Sequence, residues 1–476
     1  MLFNSFHFVF FFIIVTTLYF TLPYNKRWFL LLVSSCYFYM AFVPIYILIL
    51  GFTIVVDYFA GIYIERANGK KRKLLLMLSL MANIGVLSIF KYYNFINDNL
   101  SFLLHGFALK NPIPYLSILL PIGLSFHTFQ AMSYTIEVYR GNQKAERHFG
   151  IYSLYVMFYP QLVAGPIERP QNLLHQFREN YNFNYDRVVD GLKQMLWGFF
   201  KKLVIADRLA VYVNTIYNNP EHHTGNSFIL ATVFFTVQIY CDFSGYSDIA
   251  IGAARVMGFK LMTNFDRPLL ARSISEFWRR WHISLTTWFK DYLYISLGGN
   301  KVSIPRWYIN LLIVFITSGL WHGADWKYII YGAINGFYII FADITQGIRN
   351  KINRLMQIEK LPRFNHVAQI IITILLTSFV FIIFRANNIS DAFTIIKKVL
   401  TLSGAIFIGD ISAMIFALCG IFSLFFVEVK REYYKGDFSF FYNKNWMIRN
   451  LSYAVLIILI ILVGVFDGGQ FIYFQF

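Results

Sequence analysis

Two histidines stand out within the stretch 238–326, where polar and ionisable groups are concentrated in an otherwise apolar chain. His322 ends an apolar run and is followed at once by glycine, in the sequence SGLWHGADW from 318 to 326. Burial favours the neutral imidazole, and a neutral imidazole can serve as a general base. Gly319 and Gly323 predict open space beside this ring. His322 is therefore a candidate catalytic base, although composition alone leaves a purely structural role equally open.

The second histidine, His282, belongs to the sequence SISEFWRRWHISLTTWFKDY, residues 273–292. Ser273 and Glu276 match a capping box, and we predict one amphipathic helix from there. Helical spacing then places four residues on one face: Trp278, His282, Leu285 and Phe289. The neighbouring Arg279 and Arg280 could hold an anion such as a phosphate or a carboxylate. A satisfied structural role for His282 on this aromatic face remains the alternative.

A third group of polar residues lies between Gln238 and Asp248, in the sequence QIYCDFSGYSD. Polar groups inside an apolar stretch normally face a cavity and indicate function, so Gln238, Asp242 and Ser244 are candidates for the wall of a substrate tunnel. Hydrogen bonding between helices is the alternative. Gly245 allows a bend at this point, which is tolerated at membrane depth only where protein or water satisfies the freed backbone groups.

The composition indicates whether these groups lie in a soluble protein or in a membrane protein. Of the 476 residues, 57% are hydrophobic and 14% are charged, against about 25% charged in soluble domains. The mean hydropathy of +0.52 excludes a soluble domain, a disordered chain and a coiled coil. The net charge of +17 comes from short basic runs between apolar stretches, which is typical of cytoplasmic loops and not of a nucleic-acid partner.

Several kinds of site are excluded by what the whole sequence lacks. Its three cysteines form no CxxC pair, so we expect neither a disulfide framework nor a thiolate metal site. There is no HExxH, Walker loop, G-x-S-x-G or dinucleotide-binding motif, and we expect no metal site of any kind.

The polar groups are positioned by apolar stretches that are long enough to cross a bilayer. These stretches lie at about 7–22, 28–42, 46–64, 74–92, 116–138, 149–165, 227–257, 306–320, 327–344, 367–385, 409–427 and 450–466. Some are short or polar, so we predict about eleven crossings plus re-entrant segments. The stretches 186–215 and 273–292 predict amphipathic helices. We expect one all-α membrane domain, residues 1–476, with its catalytic core at about 116–345.

Several long motifs, in order along nearly the whole chain, resemble a known family. They are the opening MLFNSFHFVFFF, YPQLVAGPIERP at 159–170, CDFSGYSDIAIGAARVMGF from 241, NFDRP from 264, the stretch from 273 to GGN at 300, SGLWHGADW, and the ending DGGQFIYFQF. The chain thus resembles the membrane-bound O-acyltransferases, in particular bacterial alginate O-acetyltransferases.

This resemblance implies a ring of helices around a tunnel, with the acyl donor entering from the cytoplasm and the acceptor reached from the other face. It implies catalytic roles for His322, as base, and for His282, which would orient or polarise. We expect Trp278, Asp242 and Ser244 to line one cavity with both histidines. The candidate substrate-binding residues are Gln238, Asp242, Ser244, Asn264, Trp278, Arg279, Arg280, Trp281 and Trp321. Asn335 departs from the family pattern, which often has histidine there, and we give it no catalytic role.

The activity implied is transfer of an acetyl group from acetyl-CoA, with no permanently bound cofactor. The implied setting is the inner membrane of a bacterium, crossed many times by the chain. The expected partner is an extracytoplasmic acetyltransferase that acts on a polysaccharide, either an alginate-like exopolysaccharide or peptidoglycan.

Two alternatives remain open from the sequence. One is D-alanyl transfer from a carrier protein to teichoic acid, a sister activity of the same fold. The other is a proton-coupled transporter, in which the buried histidines would relay protons. Transporters commonly contain internal repeats, and we find none in this sequence.

The positive-inside rule predicts that residues 66–73 and 430–449 both lie on the cytoplasmic face, because both are rich in Lys and Arg. Single cysteines placed in each stretch should react with a membrane-impermeant maleimide only after the membrane is opened. A cysteine between 93 and 115, predicted to lie outside, is the control and should react in intact cells. Labelling of the two basic stretches from opposite sides would contradict the orientation.

Overall fold

The computed structural model describes residues 1–117, 120–434, 443–466 and 471–472, and within these ranges the chain is helical with no strand. This confirms the predicted all-α membrane class. In lipid, a helix satisfies its backbone hydrogen bonds within one segment, and an open sheet cannot. Residues 435–442 of the predicted cytoplasmic stretch and most of the C-terminal motif, 467–470 and 473–476, lie outside the described residues.

The chain divides into two compact units, each described here by itself. The first comprises residues 1–195 and 246–262. Its helices are α1 Phe6–Thr21, α2 Tyr24–Met40, α3 Ile47–Arg66, α4 Gly69–Leu87, α5 Tyr93–Gly106, α6 Leu124–Arg140, α7 Phe149–Met157, α8 Tyr159–Leu162, α9 Pro170–Leu173 and most of α10 Tyr185–Phe199.

The second unit comprises residues 196–245 and 263–476 and contains every candidate site residue. Its helices are α11 Asp207–Tyr217, most of α12 Gly225–Met257, α13 Ile274–Arg280, α14 Ile283–Phe289, α15 Ile304–His322, α16 Trp326–Ile344, α17 Gln346–Leu355, α18 Pro362–Arg385, α19 Ile389–Thr401, α20 Ile411–Tyr433 and α21 Trp446–Val463.

Seven helical segments of the described chain are long and apolar enough to cross a membrane, or eight if the bent pair α16–α17 is one span. The seven are 44–66, 69–106, α12, α15, α18, α20 and α21. Apolar α1, with 16 residues, is shorter, and the helix described within the stretch 116–138 is α6, which begins at Leu124. The predicted number of about eleven crossings, like the ring around a tunnel, therefore stays a prediction.

Three polar side chains buried in the first unit are matched with one another. Asp57 on α3 accepts hydrogen bonds from Ser79 Oγ at 2.6 Å and from Asn83 Nδ2 at 2.8 Å, both on α4. Each polar group would be costly in an apolar interior without such a partner. These bonds fix the register between α3 and α4.

The amphipathic stretch 186–215 is helical, as predicted, but contains a π-helical turn at Phe200–Ala206 between α10 and α11. Such turns have one extra residue per turn and often occur at functional sites. Here the turn contains two consecutive lysines, Lys201 and Lys202, and both side chains are buried.

Helix α12 runs unbroken from Gly225 to Met257, so the bend that Gly245 allows is not a break in the helix. The glycine allows a close approach between this helix and the π-helical turn. A Cβ atom at position 245 would lie 2.8 Å from the carbonyl oxygen of Gly198 and 3.2 Å from the amide nitrogen of Lys202. Glycine at position 245 therefore makes room for this close packing.

We expect Gly245→Ala to lower the free energy of unfolding by about 1–3 kcal/mol, the usual cost of overpacking a core. Gly85→Ala is the matched control, because no atom lies within 4 Å of a Cβ there, and alanine favours a helix interior by about 0.5–1 kcal/mol. Thermal unfolding in detergent measures both. Equal midpoints for the two variants would contradict the close approach.

Candidate functional site

His282 sits at a break in the predicted helix 273–292. Its backbone is left-handed, with φ 43° and ψ 53°, and it separates α13 from α14. The single helical face shared by Trp278, His282, Leu285 and Phe289 is therefore wrong. A left-handed conformation is uncommon for residues other than glycine, and such residues cluster at functional sites.

Asn264 holds the His282 ring. Its Oδ1 atom accepts a hydrogen bond from His282 Nδ1 at 3.1 Å and another from Ser284 Oγ at 2.9 Å. Its backbone oxygen accepts from the amide of Ile283 at 2.8 Å. These bonds place the proton of His282 on Nδ1, so Nε2 has a lone pair that can accept a hydrogen bond from substrate.

Aromatic rings enclose the same imidazole. Phe243 meets it edge-on, with ring centroids 4.5 Å apart, and Phe265 stacks on it at 6.2 Å. Burial, and next the repulsion that a protonated His322 would exert, hold the pKa of His282 well below its usual value. The imidazole is therefore neutral.

His322 is the last residue of α15, and only 4% of it is exposed. Its ring meets those of Trp321, Phe384 and Tyr331, with centroids 5.1, 5.3 and 5.9 Å away. Helix α15 ends here because Gly323 is extended, and α16 begins where Asp325 accepts a hydrogen bond from the amide of Lys327.

The open space predicted beside His322 is wrong. A Cβ atom at Gly319 would collide with the carbonyl oxygen of Tyr328, and one at Gly323 would collide with the Tyr328 ring. The two glycines let α15 and α16 pack backbone to backbone. His322 is consequently fixed by a tight helix pair, and truncation to alanine would leave a cavity.

The structure brings the two histidines together on one tryptophan. The indole of Trp321 lies 5.7 Å from the His282 ring and 5.1 Å from the His322 ring, measured between centroids. The histidines therefore do not lie on opposite sides of this unit. That they share one continuous cavity with Trp278, Asp242 and Ser244 stays a prediction.

The other two candidate tryptophans are part of the apolar core. Trp281 packs against Phe265 and Phe277, with centroids 5.1 and 5.3 Å away. Trp278 packs against Phe315 at 5.4 Å. Both tryptophans support the loop that holds His282. Direct contact of either one with substrate stays a prediction.

The polar residues of α12 face the lysines of the π-helical turn. Asp242 forms an ion pair with Lys202 at 2.6 Å, and Lys202 also pairs with Asp207 at 2.7 Å. Ser244 accepts a hydrogen bond from Lys201 Nζ at 2.8 Å. Gln238 is buried on the same helix. The bonds of Asp242 and Ser244 therefore agree with the alternative prediction, in which these side chains form polar contacts between helical elements.

The two arginines near His282 have different surroundings in the structure. Arg280 is neutralised by two carboxylates, Glu276 at 2.7 Å and Glu432 at 2.8 Å. Glu432 also pairs with Arg267 at 2.7 Å. The charge of Arg280 is therefore already matched, while Arg279 is exposed and keeps its predicted role in anion binding.

Reasoning from sequence missed Ser284, Lys201, Lys202 and Glu432. Only the two lysines carried a signal, because a basic pair within an apolar stretch must find carboxylates or water. Across the described ranges, no three His, Cys, Asp or Glu side chains are placed together to hold a metal ion.

Comparison with known proteins gives a family and several relatives. The model of the membrane-bound O-acyltransferase family matches residues 147–384. The probable alginate O-acetylase AlgI of Pseudomonas aeruginosa is 38% identical over 395 residues, which is 82% of this chain and 73% of that protein. The peptidoglycan O-acetyltransferase of Helicobacter pylori is 34% identical over 80% of this chain and 75% of its own length. The teichoic acid D-alanyltransferase of Streptococcus thermophilus is 29% identical over 57% of this chain and 71% of its own.

We expect Asn264→Asp to raise the pKa of His282. A carboxylate on the Nδ1 side stabilises the imidazolium, so the ring should stay protonated to a higher pH than in the parent protein. NMR titration of histidine labelled at ¹³Cε1 measures this, with His282→Asn to assign the resonance. The control, Asn264→Ser, adds no charge. An unchanged or lower pKa in the aspartate variant would show that Asn264 does not face the imidazole.

Proposed function

The chain belongs to the membrane-bound O-acyltransferase family, and from that premise we propose that it transfers acetyl groups from cytoplasmic acetyl-CoA across the membrane for O-acetylation of an extracytoplasmic polysaccharide. The protein is a multi-pass membrane O-acyltransferase. The single observation that carries the proposal is the pair of buried histidine rings on Trp321. This arrangement supports proton transfer to a neutral base in surroundings where a hydroxyl cannot ionise unaided.

The proposed step is attack of an acceptor hydroxyl oxygen on the thioester carbonyl carbon. His322 takes the hydroxyl proton as the new C–O bond forms. The C–S bond then breaks, and the CoA thiolate leaves and takes up that proton. One ester forms and one thioester is consumed, with no oxidant or second cofactor.

The tautomer of His282 favours one of its two predicted roles. Because Nδ1 donates to Asn264, Nε2 lacks a proton and cannot donate a hydrogen bond to the thioester carbonyl oxygen. It can accept one from the acceptor hydroxyl. We therefore assign His282 to orienting the acceptor and not to polarising the donor.

The surrounding proteins and ligands are inferred from the relatives. The alginate and peptidoglycan relatives support a polysaccharide as the final acceptor, reached through a separate extracytoplasmic acetyltransferase. Exposed Arg279 would attract the phosphates of CoA at the cytoplasmic face. The inner membrane of a bacterium provides both compartments that this transfer requires.

Transfer of D-alanine remains a second candidate, supported by the teichoic acid relative. The acetyl-transferring relatives match more of this chain at higher identity, which favours acetyl-CoA. Acetyl-CoA and a loaded carrier protein, offered separately to the purified protein, distinguish the two. Family membership argues against the proton-coupled transporter.

We expect His322→Gln and His322→Asn to lose acyl transfer by about 10²–10⁴-fold, the usual contribution of a positioned general base. Both keep a polar group of similar reach among the aromatic rings but cannot take up a proton at neutral pH. Release of free CoA from acetyl-CoA in proteoliposomes measures the rate.

His282→Gln should be affected less, because an orienting group is only partly responsible for the rate. The controls are the unfolding midpoints of all variants, since His322 is closely packed and its replacement can destabilise the protein. Substantial activity in a folded His322→Gln protein would show that the proton acceptor lies elsewhere, with His282 the first candidate.

A further inference from the structure

Two residues at the end of the chain, Phe471 and Ile472, are buried in the second unit, with 1% and 4% of their surfaces exposed. We call this pair the C-terminal anchor. Val465, earlier in the chain, also bonds within this unit, because its amide donates a hydrogen bond to the carbonyl oxygen of Leu203 at 3.0 Å. Nothing in the catalytic step above uses these residues.

The backbone of the anchor joins a buried charge cluster. The amide N–H of Ile472 donates to Asp242 Oδ2 at 2.7 Å, and the Oδ1 atom of Asp242 pairs with Lys202 at 2.6 Å. A buried carboxylate is expensive unless its oxygens are matched. The anchor therefore contributes one of the bonds that fix Asp242 in place.

The side chain of the anchor reaches the candidate site through one ring. Phe471 packs against Phe243 with centroids 5.4 Å apart, and Phe243 meets the His282 ring edge-on at 4.5 Å. Asp242 and Phe243 are consecutive on α12, so the consecutive residues of the anchor hold both of them. Phe471 is thus one ring away from a candidate catalytic imidazole.

We propose that the C-terminal anchor is a positioning element for His282, acting through Phe243 and Asp242; this inference rests on the proposed function. Asn264 holds the Nδ1 edge of the imidazole, and Phe243 limits the tilt of the ring plane. Both constraints contribute because one hydrogen bond at Nδ1 tolerates small coupled changes in the χ1 and χ2 torsions of His282, and ring contacts at Phe243 limit them. Nε2 then points in one direction only, as an orienting group requires.

The test compares Phe471→Ala with Phe466→Ala, an apolar truncation in the same segment at a residue that is 50% exposed. We expect Phe471→Ala to lower kcat for CoA release from acetyl-CoA by about tenfold, because small misplacements of a reacting group cost up to about 10²-fold. KM for acetyl-CoA should not change. Phe471→Leu, which refills most of the space, should recover most of the rate, and Phe466→Ala should match the parent protein.

A direct readout separates positioning from general stability. The ¹³Cε1 resonance of His282 should move in Phe471→Ala and return toward its parent position in Phe471→Leu, while Phe466→Ala leaves it unchanged. A His282 resonance that does not move in Phe471→Ala overturns the inference, whatever the rate. A parent protein that releases no CoA overturns the proposed function instead, and the resonance still decides the role of the anchor.

The backbone bond is tested by a second matched pair. Ile472→Ala keeps the amide N–H that Asp242 accepts, whereas Ile472→Pro removes it. We expect the proline variant to move the His282 resonance and lower kcat clearly more than the alanine variant does. Equal effects of the two would show that the bond to Asp242 plays no part in positioning.

Discussion

The cost of burying charge in an apolar chain is the constraint on which the second unit depends. A lysine ammonium in low dielectric is stable only with carboxylates beside it. Lys202 has two, Asp207 at the start of α11 and Asp242 on α12. Three separate elements must meet at this point, and the π-helical turn supplies the extra residue that turns consecutive lysines toward different partners.

A second cluster of ion pairs lies close to His282, where the cost of burying charge again requires oppositely charged partners. Arg280, at the end of α13, pairs with Glu432 near the end of α20, and Arg267 pairs with the same carboxylate. The loop from Asn264 to His282 is therefore attached to a membrane helix at its charged edge and packed by Trp281 on its apolar side. Rigid support of this kind allows a residue in an unfavourable backbone conformation to persist.

Much of the architecture could be predicted because composition and apolar run length report directly on burial in lipid. The all-α class and the helix through 227–257 required only local patterns. The break at His282 could not be predicted, since RRWHIS contains no glycine or proline and its helical spacing is intact. The left-handed turn is imposed by tertiary contacts, above all the bonds to Asn264, eighteen residues earlier.

The structural roles of the glycines could not be predicted from the sequence either. Gly245 was expected to allow a bend, and Gly319 to give a small-residue face or a helix break with space beside it; at both positions another backbone approaches closely. Glycine permits either outcome, and its neighbours in sequence do not say which one occurs. Only the partner decides, and for Gly245 the partner is Gly198 in another helix. The partners of Lys201 and Lys202, a serine hydroxyl and two carboxylates, could not be predicted for the same reason.

The two histidines are supported in different ways, and the difference bears on what each can do. His282 is held by a directional hydrogen bond from Nδ1 to Asn264, and this bond specifies its tautomer. His322 is placed by packing, because its ring meets those of Trp321, Tyr331 and Phe384. Aromatic rings surround both imidazoles, and the faces of such rings attract cations, so a proton taken up by His322 has favourable surroundings. A ring that must only keep its direction is well held by a fixed bond, and the fixed tautomer of His282 supports an orienting role beside His322 as the base.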